Sequence, residues 1–320
     1  MVDSITHKKP MKLLQRSPLQ WGGIIICVVF IGGAYLPFES YYGDLITSLR
    51  MPLLVLTFVC GLLLLLMKVK KIALGILAVC FTGLMTLLPL PSWTTKPSAE
   101  MLSVKQINLN YNNPHIAEQL TALQNQSWDM LVLQEFSDLN RHLLRPFLTQ
   151  ADLFGYREVE GIPYGIVVIS RLPIVYRQQV KLDGDRLGYI KLRLLFNNTI
   201  ITTYVAHPPS PRTKQHWQNR NYLLASISEA LLSETTPWLV IGDLNIVPWS
   251  YYYDFGTASS CYSQANAYVS FTPLRFIDSL FTGLPIDHCV FSDEFSLENF
   301  SVSPFHGSDH KMLSYQLGVH

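Results

Sequence analysis

The chain has 320 residues, enough for one sizeable domain and a smaller element, with 49% hydrophobic and only 15% charged residues and a formal net charge of +1. Five cysteines in no CxxC or Cys/His spacing argue against a disulfide framework or a zinc site. The near-neutral balance argues against a broad basic face for long duplex nucleic acid, although a local basic cleft remains compatible with it.

The apolar excess sits in the first hundred residues. Three uncharged runs, Trp21–Phe38, Met51–Met67 and Ile72–Leu90, are each close to the ~20 residues that a helix needs to cross a bilayer. One signal peptide would account for the first run but not for three in succession, so the sequence predicts three transmembrane helices within residues 21–90. Lys8, Lys9, Lys12 and Arg16 precede the first, and Lys68, Lys70 and Lys71 fill the turn between the second and third. The loop Glu39–Arg50 carries two acids and one Arg. The positive bias therefore predicts a cytoplasmic tail over residues 1–20 and a cytoplasmic KVKK turn, with everything after Pro91 on the far side of a plasma or inner membrane. Cys27, Cys60 and Cys80 fall in the apolar runs and read as small packing residues. Cys261 and Cys289 are left, and an oxidising compartment would allow them to pair.

Residues 91–100, rich in Pro, Ser and Thr, form a linker. The texture then changes. Residues 101–320 hold 15 Lys and Arg against 19 Asp and Glu, a mildly acidic domain. Short β-branched runs predict strands at Ser103–Leu109, Met130–Glu135, Ile166–Ser170, Ile174–Leu182, Gly188–Phe196, Thr199–Ala206, Trp238–Gly242, His288–Phe291 and Met312–Leu317. Helices are predicted at Pro114–Gln124, with Asn113 as N-cap, at Leu139–Leu148 and at His216–Ser233. Strand–helix–strand units mixed with runs of strand after strand predict an α/β sandwich rather than a purely parallel sheet.

Polar residues recur at the strand ends. Asn108 closes INLNYNN. Gln134 and Glu135 end LVLQEF, where a buried carboxylate is expensive unless it is paired or holds a metal. His207 ends TYVAHPP, stiffened by two prolines. Asp243 and Asn245 in IGDLN are two apart, and on a strand they would point the same way. An apolar continuation, Ile246 to Trp249, argues against a simple exposed turn. Asp287 heads LPIDHCVF, and Asp309 and His310 lie in FHGSDHKML. Asp287 is a reasonable partner to fix the tautomer of His310. Each feature alone is equally well read as a turn or a cap, but six at strand termini in one chain form a pattern. The set supplies oxygens and imidazoles with no thiolate, which suits Mg2+ or Mn2+ and phosphate chemistry.

The order N…QE…H…GDxN…D…SDH resembles the endonuclease/exonuclease/phosphatase superfamily, which includes pancreatic-type deoxyribonucleases, apurinic endonucleases, neutral sphingomyelinases and inositol polyphosphate 5-phosphatases. The resemblance spans roughly Met101–Leu317, and GDLNIVPWS with LPIDH resembles a bacterial subgroup with membrane helices ahead of the domain. It implies a four-layered α/β sandwich, two mixed β-sheets face to face with helices outside. It further implies Glu135 as the main metal-ligating carboxylate with Asn108 and Asp309 beside it. Asp243 and Asn245 would position water and phosphoryl oxygen, His310 would be catalytic with Asp287 orienting it, His207 would be the second histidine, and Gln134 would support Glu135. The expectation is a membrane-anchored, Mg2+- or Mn2+-dependent phosphoester hydrolase. Its substrate would be nucleic acid, a lipid head group or an inositol or sugar phosphate. Its partners would be the bilayer and no obligate protein. The alternative is an inactive binding or sensing module on the same anchor. The aromatic segment Tyr251–Phe281 reads as a packed loop, with base stacking or a membrane-facing edge as other readings.

Overall fold

Period-two alternation along the strands decides which side chains meet between the sheets. The computed structural model describes residues 16–87, 100–155, 165–182, 187–265, 267–273 and 282–320. Lys8, Lys9, Lys12 and nearly all of the expected linker lie outside these residues, as does the end of the third apolar run. The chain divides into two compact units, residues 1–36 with 50–85, and residues 37–49 with 86–320.

The first unit holds α1 (Pro18–Tyr35), α3 (Arg50–Leu66) and α4 (Lys70–Met85). Pro18 follows Ser17, whose hydroxyl accepts from Gln20 N in a capping box. At the other end of α1, Arg50 Nε donates to the Ala34 carbonyl at 2.8 Å. Many large apolar side chains on these helices are exposed, among them Ile25, Val28, Leu63 and Leu66. Three membrane crossings were expected, and the structure corrects that count. All three runs are largely helical where described, but among the described residues α1 alone is long and apolar enough to span a membrane. A second span exists only if the bent pair α2 (Tyr41–Ser48) and α3, 67° apart, is taken as one. The shortfall is one of length: α4 has 16 residues among those described, and the second apolar run is preceded by a separate short helix that sequence hydropathy does not reveal.

Among the described residues the second unit contains twelve strands in two six-stranded mixed sheets. The first has the order β11 (Phe295–Pro304), β12 (Lys311–Val319), β1 (Met101–Asn108), β2 (Met130–Gln134), β4 (Val167–Ser170) and β3 (Asp152–Gly155). The second has β5 (Ile174–Lys181), β6 (Gly188–Phe196), β7 (Thr199–Val205), β8 (Trp238–Asp243), β10 (Asp287–Phe291) and β9 (Ser259–Ser260). β1 pairs with β2 and β7 with β8 in parallel; the other pairs are antiparallel. Leu102, Val104, Met130, Val132, Leu192, Val205, Leu239, Ile241, Cys289 and Phe291 share the core between the sheets. Leu131 and Leu133, of the opposite parity, pack against α5 (Ile116–Gln124) and the 3₁₀ helix Asp138–Thr149. Tyr204 and Val240 pack against α6 (Lys214–Leu231). Two mixed sheets flanked by helices are thus the architecture expected from the sequence.

Five elements were not foreseen: the strands β3, β9 and β11, the helix α2 and the short helix Cys261–Gln264. The Asn113 cap also differs. The residue before α5 is His115, without a side-chain cap, while Asn113 Oδ1 accepts from His115 N and its amide donates to the Leu109 and His306 carbonyls. Cys261 and Cys289 form a disulfide that ties α7 (Cys261–Gln264) to β10.

Candidate active site

The two parallel pairs bring the carboxyl ends of β1, β2, β7 and β8 to one rim of the sandwich. Parity then does the selecting. Asn108 follows Leu102 and Val104 on the core-facing side of β1, Gln134 follows Met130 and Val132, and Asp243 follows Leu239 and Ile241. Asp287 stands two before Cys289 on the same face of β10, and His207 two after Val205. Each strand runs out of apolar residues at the rim, and its next inward-facing position is polar.

Asp243 Oδ2 is the hub. Asn108 Nδ2 donates to it at 3.0 Å, His207 Nε2 lies at 3.5 Å and His310 Nε2 at 3.6 Å. The same Asn108 amide donates to Glu135 Oε1 at 3.1 Å, and Tyr111 N donates to Glu135 Oε2 at 3.2 Å. His310 Nδ1 lies 2.8 Å from Asp287 Oδ2. Asp309 joins from the other side, accepting from Asn110 Nδ2 at 2.9 Å, and Ser308 Oγ donates to the Asn108 carbonyl at 2.7 Å. Glu135, His207, Asp243, Asn245, Asp309 and His310 all line one cavity of about 690 Å³. The eight residues singled out from the sequence are brought together, with Asn108 and Asp287 buried directly behind the wall.

Burial acts against ionisation of Asp243, but His310, His207 and the Asn108 amide outweigh it and hold the carboxyl at about 2. Burial likewise opposes charge on His310, yet Asp287 and Asp243 push it up to about 10. Burial lifts Asp287, against the pull of His310.

Two local conformations depart from strand geometry. Glu135 has φ 52° and Asn245 φ 52°, left-handed values that non-glycine residues adopt at a cost of order 1–3 kcal/mol. Asn245 therefore does not continue the face of Asp243 as two strand residues would. Its backbone N donates to Asp243 Oδ1 at 3.0 Å and its side-chain amide to the Pro208 carbonyl at 3.0 Å. Gly242 has φ 150° with the Ala206 carbonyl against its α-carbon, where a Cβ would collide with that oxygen and with Gln134 Nε2. The glycine of GDLN is thus fixed by the close approach of β7 and β8.

The residues fit a hard divalent cation. Among the described residues the only ionic partner of Glu135 is His207, at 4.0 Å, so its charge faces the cavity without a fixed cation. Gln134 Oε1 and Asp287 Oδ1 are buried without hydrogen-bond partners. The donors are oxygens and imidazoles, and Asp243, Asp287 and His310 have ligand atoms within 4.8 Å of one another.

The sequence reading missed Asn110, Tyr111 and Ser308, which hold the first set in place, and it missed the buried pair Asp44–Arg220 behind Asn245. The available signal was Arg220 itself, a charge in the buried stripe Trp217, Leu223, Leu224, Ile227 of α6. In the aromatic segment, Tyr252, Tyr253 and Phe255 pack on the outer core, Tyr262 and Tyr268 pack on the inner one, and Phe271 reaches the cavity, 4.8 Å from the His310 ring.

Residues 106–310 match the family model described as the Endonuclease/Exonuclease/phosphatase family. Among solved structures, D. rerio TDP2 complexed with single strand DNA product is 11% identical, with 68% of this chain and 99% of that one covered and a TM-score of 0.58. An endonuclease/exonuclease/phosphatase from Beutenbergia cavernae is 16% identical, covering 69% and 72%, with a TM-score of 0.52. A family protein from Bacteroides thetaiotaomicron is 18% identical, covering 70% and 98%, with a TM-score of 0.51. At these identities the likeness is one of fold. No curated protein matches the sequence.

Proposed function

The chain belongs to the endonuclease/exonuclease/phosphatase family, and from that membership and the geometry above we propose that it is a divalent-metal-dependent phosphoester hydrolase tethered to a membrane. The observation that carries the reading is the single oxygen Asp243 Oδ2, approached by Asn108, His207 and His310 at one end of an open cavity. Ionised, it accepts hydrogen bonds from water and orients one for in-line attack on phosphorus. Asp287 is an acceptor only, so it fixes the proton of His310 on Nδ1 and turns Nε2 toward Asp243 and the cavity. There Nε2 holds a proton against the charge that develops on the phosphoryl group. His207 flanks the opposite side, and Asn245 keeps one amide hydrogen for a phosphoryl oxygen. Glu135, with Asn108 and Asp309 beside it, would hold Mg2+ or Mn2+, which supplies charge neutralisation at the phosphate and the leaving oxygen.

Membrane attachment is supported by α1 and by the apolar side chains exposed on the first unit. With Arg16 before α1, the positive-inside bias favours a catalytic domain outside the cytoplasm. The Cys261–Cys289 disulfide is the kind of bond that persists in such a compartment.

The substrate carries a phosphoester. Single strand DNA is the product bound by a structural neighbour; lipid head groups and inositol or sugar phosphates are the other classes for this chemistry. The test is Mg2+-dependent release of nitrophenol from bis-(p-nitrophenyl) phosphate by the full chain in detergent, followed by plasmid DNA, sphingomyelin and inositol phosphates. The proposal expects turnover that EDTA removes. A folded protein inert toward all of these with Mg2+ and Mn2+ leaves the binding-module reading instead.

A further inference from the structure

We infer that Asp44, which lies between the first two apolar helices and outside the catalytic domain in sequence, is a positioning residue for the catalytic turn. This inference rests on the hydrolase reading. Asp44 is 2% exposed. Its Oδ2 accepts from Arg220 NH2 at 2.5 Å and from Trp217 Nε1 at 3.1 Å, and its Oδ1 from Ser250 Oγ at 2.5 Å. Arg220 is equally buried, and its NH1 donates to the Asn245 carbonyl at 3.0 Å. On the other side of that residue, Asn245 N donates to Asp243 Oδ1 at 3.0 Å. An unbroken line of contacts thus runs from Asp44 through Arg220 to the left-handed Asn245 and so to Asp243.

A buried guanidinium is tolerated because a carboxylate pairs with it; leaving it unpaired drives it to move or to admit water. Asn221 Oδ1 also accepts from Arg220, but it carries no charge. The carboxylate comes from α2, and α2 straps both loops that flank the site. Tyr41 OH donates to the Pro211 carbonyl after β7, and Trp249 Nε1, after β8, donates to the Thr47 carbonyl at 2.8 Å. Leu45 and Ser48 of the same helix form part of the cavity wall. The short segment between two apolar helices therefore completes the active-site cleft, and a fragment beginning after α4 would lack it.

The experiment uses the full chain in detergent with Mg2+ and bis-(p-nitrophenyl) phosphate, comparing Asp44→Asn, Arg220→Met, the double variant and Trp249→Phe. Amide exchange over residues 242–249 is read by mass spectrometry in parallel. Positioning predicts that Asp44→Asn lowers kcat at least tenfold with KM within twofold, and that the double variant is no worse than the poorer single. It predicts faster exchange over 242–249 in both Asp44→Asn and Trp249→Phe, with a smaller fall in kcat for the latter. If Asp44→Asn does not fold, Trp249→Phe, which removes an α2 anchor without stranding a charge, decides the matter by the same two readings. Unchanged kcat and exchange in the folded variants would overturn the inference. A wild-type chain inert toward every phosphoester would defeat the hydrolase reading alone; the exchange result would still decide whether α2 holds the turn.

Discussion

His310 Nδ1 and Asp287 Oδ2 sit 2.8 Å apart, both buried, one on the loop before β12 and the other at the head of β10, so the two sheets are joined through the site by one imidazole. The contact fixes which ring nitrogen faces the cavity. Asp287→Asn keeps the shape but can present an amide N–H to Nδ1, which favours the wrong tautomer. The expected result is a fall in kcat of about 10²-fold or more with the thermal midpoint little changed. Steady-state kinetics on the folded variant checks it.

Gly242 is where β8 passes closest to the end of β7. At φ 150° with the Ala206 carbonyl in the path of any Cβ, Gly242→Ala must displace backbone rather than a flexible side chain. We expect destabilisation of about 2 kcal/mol or more, measured by urea unfolding, together with loss of activity.

The Cys261–Cys289 disulfide closes a stretch with a sequence separation of 28. Loop-closure entropy for that length predicts about 3.6 kcal/mol of stabilisation. A Cys261→Ser/Cys289→Ser double variant should lose that much in denaturant titration, and wild type treated with a reductant should match it.

Glu234 lies away from the site, against Lys191 at 2.8 Å and within hydrogen-bond reach of Tyr204 OH at 3.0 Å. Burial works against its charge, but Lys191, Tyr204 and Thr236 outweigh it and hold the carboxyl at about 2, below its ordinary 4.5. A depressed carboxyl stabilises the fold above its unfolded value, and that contribution is lost as pH falls from about 4.5 through about 2. Glu234→Gln should therefore be less stable than wild type at neutral pH, with the gap closing across that window. Thermal melts of both proteins from pH 7 to pH 2 provide the measurement.

Much of the site was legible because a strand has period two. β1 alternates in burial and ends at Asn108, while β2 and β8 are apolar runs buried on both faces that end at Gln134 and Asp243, and β10 is such a run that begins at Asp287. Counting by twos from the inward-facing apolar residues leads to the polar rim position in each. The same rule failed at Asn245, where the chain had already left the strand for a left-handed turn, a change that no alternation reports. Asp44 was legible only as a charge in a loop, since its partner Arg220 is 176 residues away in sequence. β11 was overlooked because FSLENFSVSP is an edge strand with few buried positions. Hydropathy located the N-terminal helices but not the break at Leu49 that separates α2 from α3. Composition measures apolarity, whereas a span also depends on unbroken helical length.

The central claim is that Glu135 holds a catalytic cation beside Asp243. The direct measurement is the rate of bis-(p-nitrophenyl) phosphate hydrolysis by the full chain as Mg2+ is titrated, for wild type and Glu135→Gln. The account predicts a saturable Mg2+ requirement abolished by EDTA, and a folded variant with at least ~10²-fold lower activity or a strongly raised Mg2+ requirement. Hydrolysis that is indifferent to Mg2+ and EDTA, or a folded Glu135→Gln protein with the wild-type titration, would contradict it.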